Sequence, residues 1–169
     1  FPVLGGSLNI GLMEGLAVWS DSKTDELSPH QWAKAIYSEN FNFPAKALFS
    51  LFDFWKARPV HAYSMAGSFV QFLIESHGLE KFKQLYGGWG NVEQIYLVSL
   101  AELEATWRQK VDATFLRAED KKQMLPVIRL RGVAEIKCPH TDARRRRKAA
   151  KKMTTGVGYL APGLGETCG

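Results

Sequence analysis

Glu14 is the residue of this sequence best placed to do chemistry. It stands in the stretch Leu12-Met13-Glu14-Gly15-Leu16-Ala17-Val18-Trp19, a lone carboxylate among apolar side chains in an apolar helical segment. An ionised carboxylate is too costly to bury unpaired, so it either reaches water at the helix edge or finds a partner. A bound cation is one such partner, and a glutamate rising from a packed helix makes a rigid ligand. Isolated glutamates are usually surface residues, so the residue taken alone leaves both readings open. The histidines His30, His61, His77 and His140 show no i, i+4 spacing around a glutamate. His61 either titrates near neutrality in a cleft or sits on the surface of a first helical turn. Glu102 and Glu104 read as capping and solvated residues rather than as acid-base groups.

The elements that must position these residues read as helices. A loop leads into the Glu14 helix at about Asn9, and that helix ends near Ser20-Asp21-Ser22. Gly15 costs a helix roughly 1 kcal/mol against Ala, which is reasonable where a neighbouring backbone approaches closely. Ser28-Pro29 supplies an N-cap and a first-turn proline for a helix through about Ser38. Residues 41–55 are dense in aromatics, namely Phe41, Phe43, Phe49, Phe52, Phe54 and Trp55. They form either a core cluster or the wall of a substrate cleft. From Pro59 to His77, Ala62, Met65, Ala66, Phe69, Val70 and Leu73 recur at helical spacing as a buried stripe, stopped by Gly78. Leu79 to Tyr86 makes a short helix, and Asn91 to Ile95 one further turn. Ser99-Leu100-Ala101-Glu102 is a capping box that launches a helix carrying Leu103, Trp107 and Val111. Beyond it, helical turns reach Met124 before Pro126 interrupts, and residues 127–131 read as a short strand or an extended linker.

The chain of 169 residues is 46% apolar and 23% charged, which describes one ordinary globular domain with a mainly α fold, an irregular bundle of about six helices. No apolar run approaches the length of a membrane span. Phe1-Pro2-Val3-Leu4 lacks the basic region and long apolar core of a signal peptide, and a chain beginning with Phe reads as part of a longer parent. The charge divides the chain into two segments. Residues 1–116 carry a net −3 and residues 117–169 a net +8. We therefore read a helical body over 1–116 and a basic linker or tail over 117–169. Cys138 and Cys168 both lie in the tail and decide little.

Three stretches in order carry a resemblance. They are Glu14-Gly15-Leu16-Ala17-Val18-Trp19, then Ala62-Tyr63-Ser64-Met65-Ala66-Gly67-Ser68-Phe69-Val70-Gln71-Phe72-Leu73-Ile74, then Ser99-Leu100-Ala101-Glu102-Leu103-Glu104-Ala105-Thr106-Trp107-Arg108. Over residues 9–112 the chain resembles the C-terminal half of a gluzincin, the peptidase-MA-like zinc metallopeptidase domain. The resemblance implies that Glu14 matches the zinc-ligating glutamate of that family's later helix. It also implies that Tyr63 matches a tyrosine whose hydroxyl supports the developing oxyanion, since a phenol donates a hydrogen bond without adding charge. The spacing Tyr63-Ser64-Met65-Ala66-Gly67 is one residue longer than the commoner form, and a tyrosine packed on the aromatic cluster is the other reading. At Leu97 the family more often has glycine, so a strained or rearranged turn is expected there. The histidine helix H-E-x-x-H is absent from the sequence, and with it two ligands and the general base. The expectation is a fragment of a zinc-dependent peptidase: peptide substrates and zinc belong to the complete parent, and this chain alone does not hydrolyse peptides.

The tail offers a function of another class. The run Arg144-Arg145-Arg146-Arg147-Lys148-Ala149-Ala150-Lys151-Lys152 reads as a solvated helix end, a nucleic-acid contact or an anionic-membrane contact. It has no interleaved aromatics for base stacking. Residues 154–169 hold five glycines and one proline and read as disordered. A helical interaction module with a polyanion-binding tail is therefore the rival to the peptidase fragment.

Overall fold

The computed structural model describes residues 9–22, 27–88 and 91–130. The basic run, both cysteines, His140 and the glycine-rich end lie outside the described residues. Among the described residues the chain is helical without strands. Eight α-helices follow one another: α1 (Ile10–Asp21), α2 (Pro29–Ser38), α3 (Leu51–Lys56), α4 (Pro59–His77), α5 (Leu79–Tyr86), α6 (Val92–Tyr96), α7 (Leu100–Ala113) and α8 (Ala118–Ile128). A 3-10 turn, Ala45–Phe49, precedes α3.

Local chemistry sets most of the boundaries. Asn9 accepts the Leu12 amide at 2.9 Å and caps α1. Ser28 and Gln31 form a reciprocal capping box, with Pro29 in the first turn of α2. Ser99 and Glu102 do the same for α7. The Ser99 hydroxyl and amide both donate to the Glu102 carboxylate, and these bonds hold its pKa below the ordinary value. Gly78 ends α4 at φ +87°, a conformation that glycine adopts without a Cβ penalty. At the end of α6 the same left-handed region is occupied by Leu97, at φ +60°. Of the two outcomes expected there, a left-handed residue with a Cβ is what occurs, and its side chain is 81% exposed.

α4 is the central helix. Its apolar stripe is wholly buried, with Met65, Ala66, Phe69, Val70, Phe72 and Leu73 among the core residues. α1 packs on it most extensively, α2 next, and α5, α7 and α8 also touch it. Trp107 of α7 reaches the centre of the core, its ring edge-on to Phe69 at 5.1 Å. The aromatic stretch divides between two environments. Phe43 and Phe54 are buried, Phe41 and Phe49 pack partly against the core, and Phe52 and Trp55 face solvent.

α8 departs from expectation. Pro126 does not stop it; the helix continues through Ile128. Proline removes one backbone donor, but Pro126 stands on the exposed face in the last turn. Met124 and Ile128, one turn apart, are both buried in the core. His61 of α4 bonds the Ile128 carbonyl at 2.9 Å, satisfying a C-terminal acceptor. On the surface, Glu39 receives both Arg129 and Lys121. Tertiary contacts thus outweigh the local break.

Candidate functional site

Glu14 and Tyr63 stand on the two helices α1 and α4, which pack together, and the Glu14 charge bears on the Tyr63 phenol. The two helices approach so closely that a Cβ at Gly15 would lie 2.5 Å from the Ala66 carbonyl oxygen. A Cβ at Gly67 would lie 2.5 Å from Val18 Cγ1. Glycine at these positions removes the side chain that would hold the backbones apart. Glu14 and Tyr63 are each half-buried at the edge of this contact. The Tyr63 phenol is raised above its ordinary pKa, first by burial and then by the negative charge of Glu14. Phe54 packs edge-on against the Tyr63 ring at 5.7 Å. Packing and electrostatics therefore leave a protonated phenol beside a carboxylate, at a position that is only partly covered.

The histidines take no part in this pair. His61 is neither a surface nor a cleft residue: it is buried, bonded to the Ile128 carbonyl and packed on Phe41 with ring centroids 4.4 Å apart. His77 stacks edge-on against Tyr96 at 5.0 Å. Among the described residues no three His, Cys, Asp or Glu side chains converge as a metal site. Glu14 is one ligand where a catalytic zinc takes three from the protein, so the described residues do not by themselves fit that metal.

A buried polar network was invisible in the sequence. Trp107 Nε1 donates to Ser68 Oγ at 3.0 Å, and Ser68 Oγ lies 2.8 Å from His30 Nδ1. His30 Nε2 faces Glu75 at 3.8 Å, and Glu75 is in turn 3.5 Å from Lys110. Ser68 Oγ accepts from Trp107 and has both a proton and a second lone pair left, so it can donate to Nδ1 of an Nε2–H ring or accept from an Nδ1–H ring. Burial is the largest influence on this ring and lowers its pKa from 6.5 to about 4. Glu75 opposes that shift and Lys110 adds to it. A serine beside a histidine is a nucleophile–base pair in composition, but Ser68 is fully buried and cannot meet a substrate. The network joins α2, α4 and α7; its work is structural.

A cleft of about 410 Å³ opens on the other side of α1, lined by Asn9, Leu12, Phe49, Leu85, Val92 and Glu93 among others. Neither Glu14 nor Tyr63 lines it. Leu12 and Glu14 are two residues apart on α1 and so point to different faces of the helix.

No family model matches this chain, and no curated protein or solved structure was found to be similar to it.

Proposed function

We propose that this chain is the helical half of a gluzincin-type zinc metallopeptidase, the part that carries the glutamate ligand and one wall of the substrate cleft. The observation that supports the reading most is the pairing of Glu14 with Tyr63. The two residues are far apart in sequence, Glu14 singled out by its apolar surroundings and Tyr63 by the resemblance. They meet where Gly15 lets α1 lie against α4. In the complete parent, Glu14 on the packed helix α1 would be one of the residues to hold the zinc, which would polarise the peptide carbonyl. Tyr63, kept protonated by burial and by its acidic neighbour, donates a hydrogen bond to the oxygen that becomes negative as a peptide carbonyl is attacked. The chain contains no H-E-x-x-H, so it supplies neither the general base nor the other ligands, and by itself it is inactive on this route.

The test is metal content in a chain extended upstream of Phe1 to take in the native reading frame. Near-stoichiometric zinc that falls on Glu14→Gln is the expected result. An extended chain without H-E-x-x-H, or one whose zinc is indifferent to Glu14→Gln, overturns the proposal. The pairing itself is checked on this chain by ultraviolet titration of the tyrosines. Glu14→Gln should bring the Tyr63 midpoint down toward that of a free phenol, with Tyr63→Phe identifying its share of the signal.

A further inference from the structure

α3 presents its large side chains to water. Of its six residues, Leu51 is 63% exposed, Phe52 67% and Trp55 59%, while Phe54 alone is buried. Residues three and four apart share a helix face, so Leu51, Phe52, Trp55 and Lys56 form one outward stripe. The Phe54 ring, held against Tyr63, fixes this short helix to the body. α1 packs against α3. Scattered single apolar residues on a surface need no explanation, but a contiguous aromatic stripe does.

The charge around the stripe indicates what covers it. Residues 1–116 carry twelve acidic and nine basic side chains, yet residues 44–60 hold Lys46, Lys56 and Arg58 against the single carboxylate Asp53. The stripe is thus a basic spot on an acidic body. Lys46 is exposed on the turn preceding α3. Lys56 Nζ lies over the Phe52 ring, 3.8 Å from its centroid, a position from which it can extend past the ring to an anion. Cores of protein–protein interfaces are depleted of lysine. Helices that lie in a bilayer interface combine Trp, Phe and Leu with Lys and Arg in this way.

We infer that α3 is a peripheral membrane anchor, its Leu51, Phe52 and Trp55 entering the headgroup boundary of an anionic bilayer while the exposed Lys46 and Lys56 meet lipid phosphates; Arg58 is half-buried with its guanidinium over the Phe41 ring. One small apolar insertion binds a membrane reversibly, and a polybasic segment strengthens it. The sequence carries such a segment in the run Arg144-Arg145-Arg146-Arg147. Each basic side chain near an anionic surface adds to the attraction within a Debye length.

The full chain is tested by co-sedimentation with phosphatidylcholine vesicles, with and without about one-third phosphatidylserine. The chain should bind the anionic vesicles. Phe52→Ser combined with Trp55→Ser should weaken partitioning roughly tenfold or more, with an unchanged urea midpoint showing that the fold is intact. Lipids brominated in the acyl chains should quench the wild-type tryptophan fluorescence. Trp55→Phe should remove that quenching while vesicle binding persists, because the phenyl ring retains the apolar contact. Two results overturn the inference. One is a double serine variant that binds as the wild type does, which would leave attachment to the basic run alone. The other is a chain that ignores vesicles and forms a dimer that the same substitutions dissociate, which would make the stripe a protein interface.

Discussion

Acid should loosen this fold through His30. The ring is buried at the junction of α2, α4 and α7, and its pKa is lowered from 6.5 to about 4, chiefly by burial. A folded-state pKa below the unfolded value means that between these limits the unfolded chain takes up a proton the native state refuses. The contribution is fully present above pH 6.5 and is lost progressively as pH falls toward about 4. A midpoint moved that far corresponds to about 3 kcal/mol, a large share of a stability of about 5–15 kcal/mol. His61 and His77 are also lowered by burial and act in the same direction. Their share must be separated from that of His30.

Urea unfolding of the wild type and of His30→Asn, at steps from about pH 7 to about pH 4, makes the separation. The asparagine side chain, which carries both an acceptor and donors, can bond the Ser68 hydroxyl in place of Nδ1, and it does not titrate. The variant should be less stable near neutrality by about 1–2 kcal/mol, from lost packing and an imperfect bond. Its stability should then fall less steeply with acid, so that the gap closes and, at the full relative change of about 3 kcal/mol, the two curves cross at the acid end. The carboxylates and the other histidines are common to both proteins and cancel in the difference. Parallel curves would refute the reasoning. They would mean that His30 protonates within the fold, its charge accepted by Glu75 at 3.8 Å, and that burial disfavours the charged ring less than the geometry implies.

Two further predictions concern the backbone. Gly15→Ala gains roughly 1 kcal/mol of helix propensity but drives a methyl against the Ala66 carbonyl, and overpacking of this kind costs about 1–3 kcal/mol. A net loss of about 1–2 kcal/mol is expected in the urea midpoint, with a smaller loss for Gly67→Ala, whose obstacle is the Val18 side chain rather than backbone; equal or reversed losses would contradict the assignment. Leu97→Gly should stabilise the protein by up to about 1 kcal/mol, since a left-handed residue with a Cβ is strained and this side chain packs on little. A lower urea midpoint would show that Leu97 makes a contact worth more than its strain.

Much of the helical frame was legible because its signals are local. Ser28-Pro29, Ser99 with Glu102, and Gly78 each mark a boundary within a few residues of where it falls. The stripe from Ala62 to Leu73 is likewise periodic enough to identify α4 as the buried helix. The buried histidines were not legible. His30 meets Ser68 38 positions away and His61 meets Ile128 67 positions away, and no local pattern announces either pair. The run of α8 through Pro126 was hidden for the same reason, because what holds its last turn is Ile128 in the core and His61 on its carbonyl. Within the candidate site, Glu14 stood out by its own chemistry and Tyr63 by resemblance. The aromatics of residues 41–55 could not be divided by sequence, because Phe54 and Trp55 are adjacent and of one type, yet one is buried and the other exposed.

The close approach of α1 to α4 ties the site to the core. Val18 meets Gly67. Glu14 precedes Val18 by one turn, and Tyr63 precedes Gly67 by one turn, so the faces that meet there also carry the candidate pair. The distance over which Glu14 acts on the phenol is therefore set by two glycines and not by either member of the pair. A residue that props the helices apart weakens their coupling, whether or not the molecule still folds. The same reasoning accounts for a glycine in the middle of α1, where helix propensity argues against one. Its cost to the isolated helix is about 1 kcal/mol. In return Leu12 and Leu16 are brought into the core, and Glu14, half-buried, is left where its charge bears on the Tyr63 phenol.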